Sequence, residues 1–223
     1  MFKKIILVLL AVIILMVVFR DSLIKVGLEY ALTQAMGAET KVGSFHLGIT
    51  KPVVEINNLK IYNPRNFINE PLLNISKIAL EYEPAALMRR QLYISEMTIR
   101  MDQLIIAINN AGGINVDHLK IAHPPKDQKP AEIAPFKVTK LTLTVGKVVT
   151  KNYANTADTA MTTLDLGMRE HVYKNINSFT RLVECVLVDT MKAAGVKGAQ
   201  IYGEGLLNNL ARGLVKHLNA KVH

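Results

Sequence analysis

Histidine, paired carboxylates and cysteine are the residues through which a chain of this kind could do chemistry, and their spacing here offers little of it. The histidines stand at 46, 118, 123, 171, 217 and 223. No two are four residues apart on a helix, the arrangement that turns two imidazoles to one metal ion. His118 and His123, with Asp117 beside them, come nearest to a ligand set, but Pro124 and Pro125 follow at once and ordinary loop polarity accounts for the group. Glu81 and Glu83 fall on one side of a strand, as an acid–base pair would; a solvated polar face is the simpler reading. Cys185 is the sole cysteine, which excludes a disulfide framework and any multi-thiolate metal site. Its place on the flank of a helix makes it a small packed hydrophobe. Asn74-Ile75-Ser76 matches a glycosylation sequon, but inside an expected strand. Gly203-Glu-Gly205 lacks the third glycine of a dinucleotide fingerprint, and no nucleophile elbow, phosphate loop or HExxH is present. The chain therefore reads as a non-enzyme with no catalytic residues, no metal and no cofactor.

The elements that hold these residues belong to a folded protein, since half of the 223 residues are apolar and a fifth are charged, far from the composition of a disordered chain. The absence of Trp and an aromatic content of 6 % leave no stacking platform for nucleic acid. A formal net charge of +9 then points to anionic lipid headgroups or to a solvated surface.

Ile5 to Phe19 is an unbroken run of 15 apolar side chains, introduced by Lys3 and Lys4 and closed by Arg20 and Asp21. As a helix the run reaches about 22 Å, close to a hydrocarbon core of about 30 Å once flanking lysines and Arg20 snorkel. Val17-Val18-Phe19-Arg20-Asp21 holds no small residues at a processing site, so an uncleaved membrane anchor is expected. The positive-inside rule places the N-terminus in the cytoplasm. In a diderm bacterium the chain would then be a single-pass protein of the inner (cytoplasmic) membrane with its C-terminal domain in the periplasm.

Residues 21–36 carry apolar positions at helical spacing, with Gly37 as a stop; residues 1–36 are thus the anchor and its helical extension. Strands follow at 40–50, 53–62, 72–83 and 91–109, within a β-rich region over 37–121. The alternation slips at Asn57-Asn58 and near Ile75, where a bulge restores register. Residues 122–135 form a Pro-rich loop, residues 136–176 continue the sheet, and residues 177–223 are helical, with amphipathic stretches at 178–194 and 204–220. The expected fold class is α+β: an N-terminal transmembrane helix, a curled, mainly antiparallel β-sheet of roughly eight strands with one apolar face, and C-terminal amphipathic helices.

Lys41-Val-Gly-Ser-Phe-His-Leu-Gly48 followed by Ile56-Asn-Asn-Leu-Lys-Ile-Tyr-Asn-Pro64 resembles the opening of the AsmA-like family, with Asn66 where glycine is usual before Phe67. The similarity runs on through Ile75-Ser-Lys-Ile78, Glu83-Pro-Ala-Ala-Leu-Met-Arg-Arg90, Ile94-Ser-Glu-Met-Thr-Ile99 and Ile108-Asn-Asn-Ala-Gly-Gly-Ile-Asn-Val116. It covers about residues 1–120, with a weaker echo from Phe136 to Val149. The resemblance implies an envelope protein of the repeating β-groove type, related to TamB and to chorein-type lipid-transfer proteins, associated with phospholipid transport and outer-membrane biogenesis. Its lipid-binding face would be the apolar strand face represented by Ile78, Leu80, Leu141, Leu143 and Val145. The membrane anchor would be framed by Lys3, Lys4, Ile5, Phe19 and Arg20. Phospholipid, the membrane and envelope proteins or further copies of the chain are the expected partners, and nucleic acid is not. The alternative is a non-enzymatic scaffold or assembly subunit of an envelope complex, with helices covering the apolar face so that nothing remains for a ligand.

Overall fold

Period-two alternation of Ile, Val and Leu with polar residues suits a pleated surface buried on one side. The computed structural model of the protein describes residues 20–48, 51–119, 135–153 and 160–195, and it places six strands in one sheet. They are β1 (Thr40–Leu47), β2 (Val53–Tyr62), β3 (Pro71–Tyr82), β4 (Leu92–Ile108), β5 (Phe136–Asn152) and β6 (Ala160–Ile176), hydrogen-bonded in chain order. Residues 20–36 form helix α1. A short helix α2 (Pro84–Met88) joins β3 to β4. After β6, α3 (Phe179–Val183), a π-helical turn (Glu184–Val188) and α4 (Asp189–Ala193) run on from one another, ending at Gly195 with φ +64°.

The expected α+β class is corrected to a mixed α/β domain built on this sheet with few helices. β4 and β5 pair in parallel from Leu92↔Phe136 to Ile108↔Asn152, so the sheet is mixed. A parallel neighbour needs a connection of a dozen or more residues to bring the chain back to its starting end, and residues 109–135 supply it. The described residues form six strands where roughly eight were expected, and Gly146 lies inside a continuous β5. A Cβ there would sit 2.6 Å from the carbonyl oxygen of Asp102 on β4, so only glycine lets the strands approach. Among the described residues no helix is long and apolar enough to cross a membrane: Arg20, Asp21, Lys25 and Glu29 interrupt α1. The run Ile5 to Phe19 and the stretch 204–220 lie outside the described residues.

Side chains of α1 close the free edge of β1. Glu29 Oε1 accepts the Val42 N–H at 2.7 Å, Thr33 Oγ1 accepts the Thr40 N–H at 3.1 Å, and the Arg20 guanidinium donates to the Leu47 carbonyl. Asp21 lies 3.0 Å from His46 at the same edge. Edge strands that keep their backbone groups unpaired recruit other chains, and α1 removes that opportunity at β1. Leu28, Leu32 and Met36 of α1 turn inward to the core, whereas Leu23, Val26 and Tyr30 face outward.

Candidate apolar sheet face and its open end

Cross-strand register carries one apolar face through the whole sheet. Phe45, Ile56, Ile78, Ile99, Leu143 and His171 are successive partners across all six strands, and Leu47, Val54, Leu80, Met97, Leu141 and Tyr173 make the adjacent row. Two further rows run from Val42 through Val145 to Met168 and from Thr40 through Val148 to Leu164. The phase is kept where alternation slips: Gly43 faces Asn58, which takes φ +53°, and Glu170 takes φ +50°. The opposite face is polar along the part of the sheet where Lys77 lies 3.0 Å from Glu55 and Lys140 3.2 Å from Glu96; toward the other end it buries Leu72, Ile105, Ala107 and Val149.

Coverage of the apolar face is uneven. Leu141, Leu143 and Val145 are sealed in the core, with Leu182, Cys185, Val186 and Met191 of the α3–α4 segment joining the same cluster. Ile78 and Leu80 are only partly buried, and so are Phe45, Leu47, Val54 and Ile56 around them. The five residues of the expected lipid face thus share one surface but split into a closed part on β5 and a half-open part on β1–β3. The half-open part lies at the end of the sheet that holds Arg20, the turn after Leu47, and α2. Of the expected anchor residues, Arg20 is placed by its bond to Leu47; Lys3, Lys4, Ile5 and Phe19 lie outside the described residues.

The opposite end is tied by polar groups whose importance their sequence positions did not signal. Buried Asn115, in a 3₁₀ turn (Asn115–His118), donates to Asn63 Oδ1 at 2.7 Å and to the Ile105 carbonyl at 2.8 Å. Its Oδ1 accepts the Ala107 and Val116 N–H groups at 3.0 Å each. Nearby, the Glu70 carboxylate accepts from Tyr153 Oη at 2.8 Å and from Lys151. That hydrogen bond to Glu70 raises the Lys151 pKa, and burial raises that of Tyr153. A cleft of about 430 Å³ opens at this end between α1 and the 63–69 loop, lined by Thr33, Glu39, Asn63, Arg65 and Phe67 among others.

The groups considered for chemistry are dispersed. His118 stacks edge-on against Phe67 at 5.2 Å, His171 against Tyr173 at 4.7 Å, and His46 meets Asp21. Glu81 and Glu83 are exposed, Glu81 opposite Val53 on one side and Glu96 on the other. Among the described residues no three His, Cys, Asp or Glu side chains converge on a possible metal position. His123, His217 and His223 lie outside the described residues.

Cys185 is fully buried in the π-helical turn, and burial pushes its thiol up to about 11. The folded protein therefore holds this proton more tightly than the unfolded chain, whose thiol titrates near 8.5. The contribution is intact below that value and is lost as pH rises through it toward about 11. Iodoacetamide at mildly alkaline pH should leave Cys185 unmodified in native protein and alkylate it fully in denaturant; native labelling at the rate of a free thiol would refute this packing.

The chain matches no protein-family model, no curated protein and no solved structure, so what it does is to be read from its own residues.

Proposed function

We propose that the protein is a membrane-associated, non-enzymatic envelope protein of AsmA-like type that handles phospholipid. In this reading an acyl chain rests on the half-open apolar surface of β1–β3. The observation that carries it is the contrast within one continuous face: Leu141, Leu143 and Val145 are closed over, while Ile78 and Leu80 keep partial exposure among other apolar side chains. Such a surface removes an alkyl chain from water at about 0.8 kcal/mol per methylene. The resemblance over residues 1–120 and the basic net charge support the same reading. A periplasmic domain held at the inner membrane fits both. The closed β5 region favours a second reading, a scaffold subunit with a solid core.

A photoreactive residue placed at Leu80 of the full chain in its native membrane separates the two. Adducts with phospholipid are expected at Leu80 and not at Lys77, which projects from the polar face. Equal or absent lipid labelling at the two positions would overturn the lipid reading and leave the scaffold.

A further inference from the structure

The turn between β3 and β4 is built to expose what a soluble surface normally hides. Ala86 is the only buried residue of α2, whereas Leu87 is 53 % and Met88 88 % exposed. Arg89 and Arg90 follow directly, both exposed. Arg90 holds φ +57°, in the position after a helix where glycine carries no steric cost; a bulky cation is kept there instead. The turn before β2 lies alongside, since the Tyr82 N–H donates to the Pro52 carbonyl at 2.9 Å, and it presents exposed Lys51. Glu83 lies at the base of this tip.

The chain itself says what faces this end. Arg20 is bonded to the Leu47 carbonyl, so residues 1–19, with their 15 consecutive apolar side chains, join the domain at the end of the sheet that carries α2. An apolar tip flanked by cations, at the same end of the sheet as the entry point of an apolar segment, matches a bilayer in both chemistries: acyl chains for Leu87 and Met88, anionic phosphates for Arg89, Arg90 and Lys51. We infer that α2 is a membrane-docking tip that inserts Leu87 and Met88 into an anionic lipid surface, with Arg89 and Arg90 on the headgroups. This rests on the reading of the protein as membrane-associated. It adds an orientation, the half-open side of β1–β3 being turned toward the bilayer.

The chain contains no tryptophan, so a single introduced one reports its own surroundings. Full-length Met88→Trp and, at the far end of the sheet, Met161→Trp, whose native side chain is 62 % exposed, are reconstituted in phosphatidylcholine vesicles with and without phosphatidylglycerol. Bromine-labelled acyl chains should quench most of the Met88→Trp emission in the anionic vesicles and little of the Met161→Trp emission. Arg89→Glu with Arg90→Glu should abolish the advantage of phosphatidylglycerol. Equal quenching at the two positions overturns the docking tip, even where Leu80 forms lipid adducts, so the two proposals fail separately. A blue shift at Met88→Trp that grows with protein concentration and resists bromine would indicate a second copy as the occupant and also overturn it.

Discussion

Leu143→Glu should abolish the cooperative unfolding transition or lower its midpoint by about 10 °C or more. Leu143 has no exposed surface and sits in mid-row between Ile99 and His171, inside the cluster that includes Leu182 and Val186. A carboxyl placed there loses its water, with the imidazole of His171 on the outer strand as the one polar neighbour in its row, at a cost of several kcal/mol, and each kcal/mol moves the midpoint of a domain of this size by roughly 2–4 °C. Thr142→Glu, one residue away and on the polar face opposite Thr98 and Val172, should change stability by about 0.5 kcal/mol or less. Far-UV circular dichroism melts of the two variants give the comparison. An unchanged melt for Leu143→Glu would mean that water reaches β5, and the closed core would be wrong.

The second large effect belongs to Asn115→Leu. The substitution keeps the volume but deletes four hydrogen bonds, leaving the Ala107 N–H and the Ile105 carbonyl unpaired in the interior. Each buried orphan costs about 1–3 kcal/mol, so a loss of roughly 3–5 kcal/mol is expected. Asn63→Ala removes one acceptor from Asn115 and one donor to the Ile68 carbonyl, and should cost less. Because the two side chains touch, the double variant should fall short of the sum of the single effects. Strict additivity in denaturant melts would show that the Asn63–Asn115 contact carries no energy.

Strand positions were legible because alternation survives wherever one face is buried: 53–62 matches β2, and 72–83 and 91–109 lie within a residue of β3 and β4. The slip at Asn57-Asn58 was legible for the same reason, since two polar residues in succession break the period at the residue that takes φ +53°. The parallel β4–β5 pair was not, because alternation is blind to the direction of a neighbour. Nor was the outward turn of Leu23, an apolar residue at helical spacing yet 67 % exposed; α1 is apolar on two sides, and periodicity cannot say which side meets the sheet. Of the candidate face, the shared surface of Ile78, Leu80, Leu141, Leu143 and Val145 could be read from spacing. Its division into closed and half-open parts depends on where helices lie. Asn115 left no signal, as one asparagine after two glycines looks like turn chemistry until the Asn63 contact across 52 positions is seen.

The side chains by which α1 occupies the β1 edge make the sheet a polymer with one blocked end. Among the described residues no element pairs with the outer side of β6, while Thr33, Glu29 and Arg20 already bond the Thr40 and Val42 N–H groups and the Leu47 carbonyl of β1. Lengthening such a sheet, through gene duplication of a hairpin or the arrival of another molecule's strand, is therefore vectorial. Among the described residues the place for new material is beyond β6, and β1 with its helix is the terminus from which a larger array would be counted.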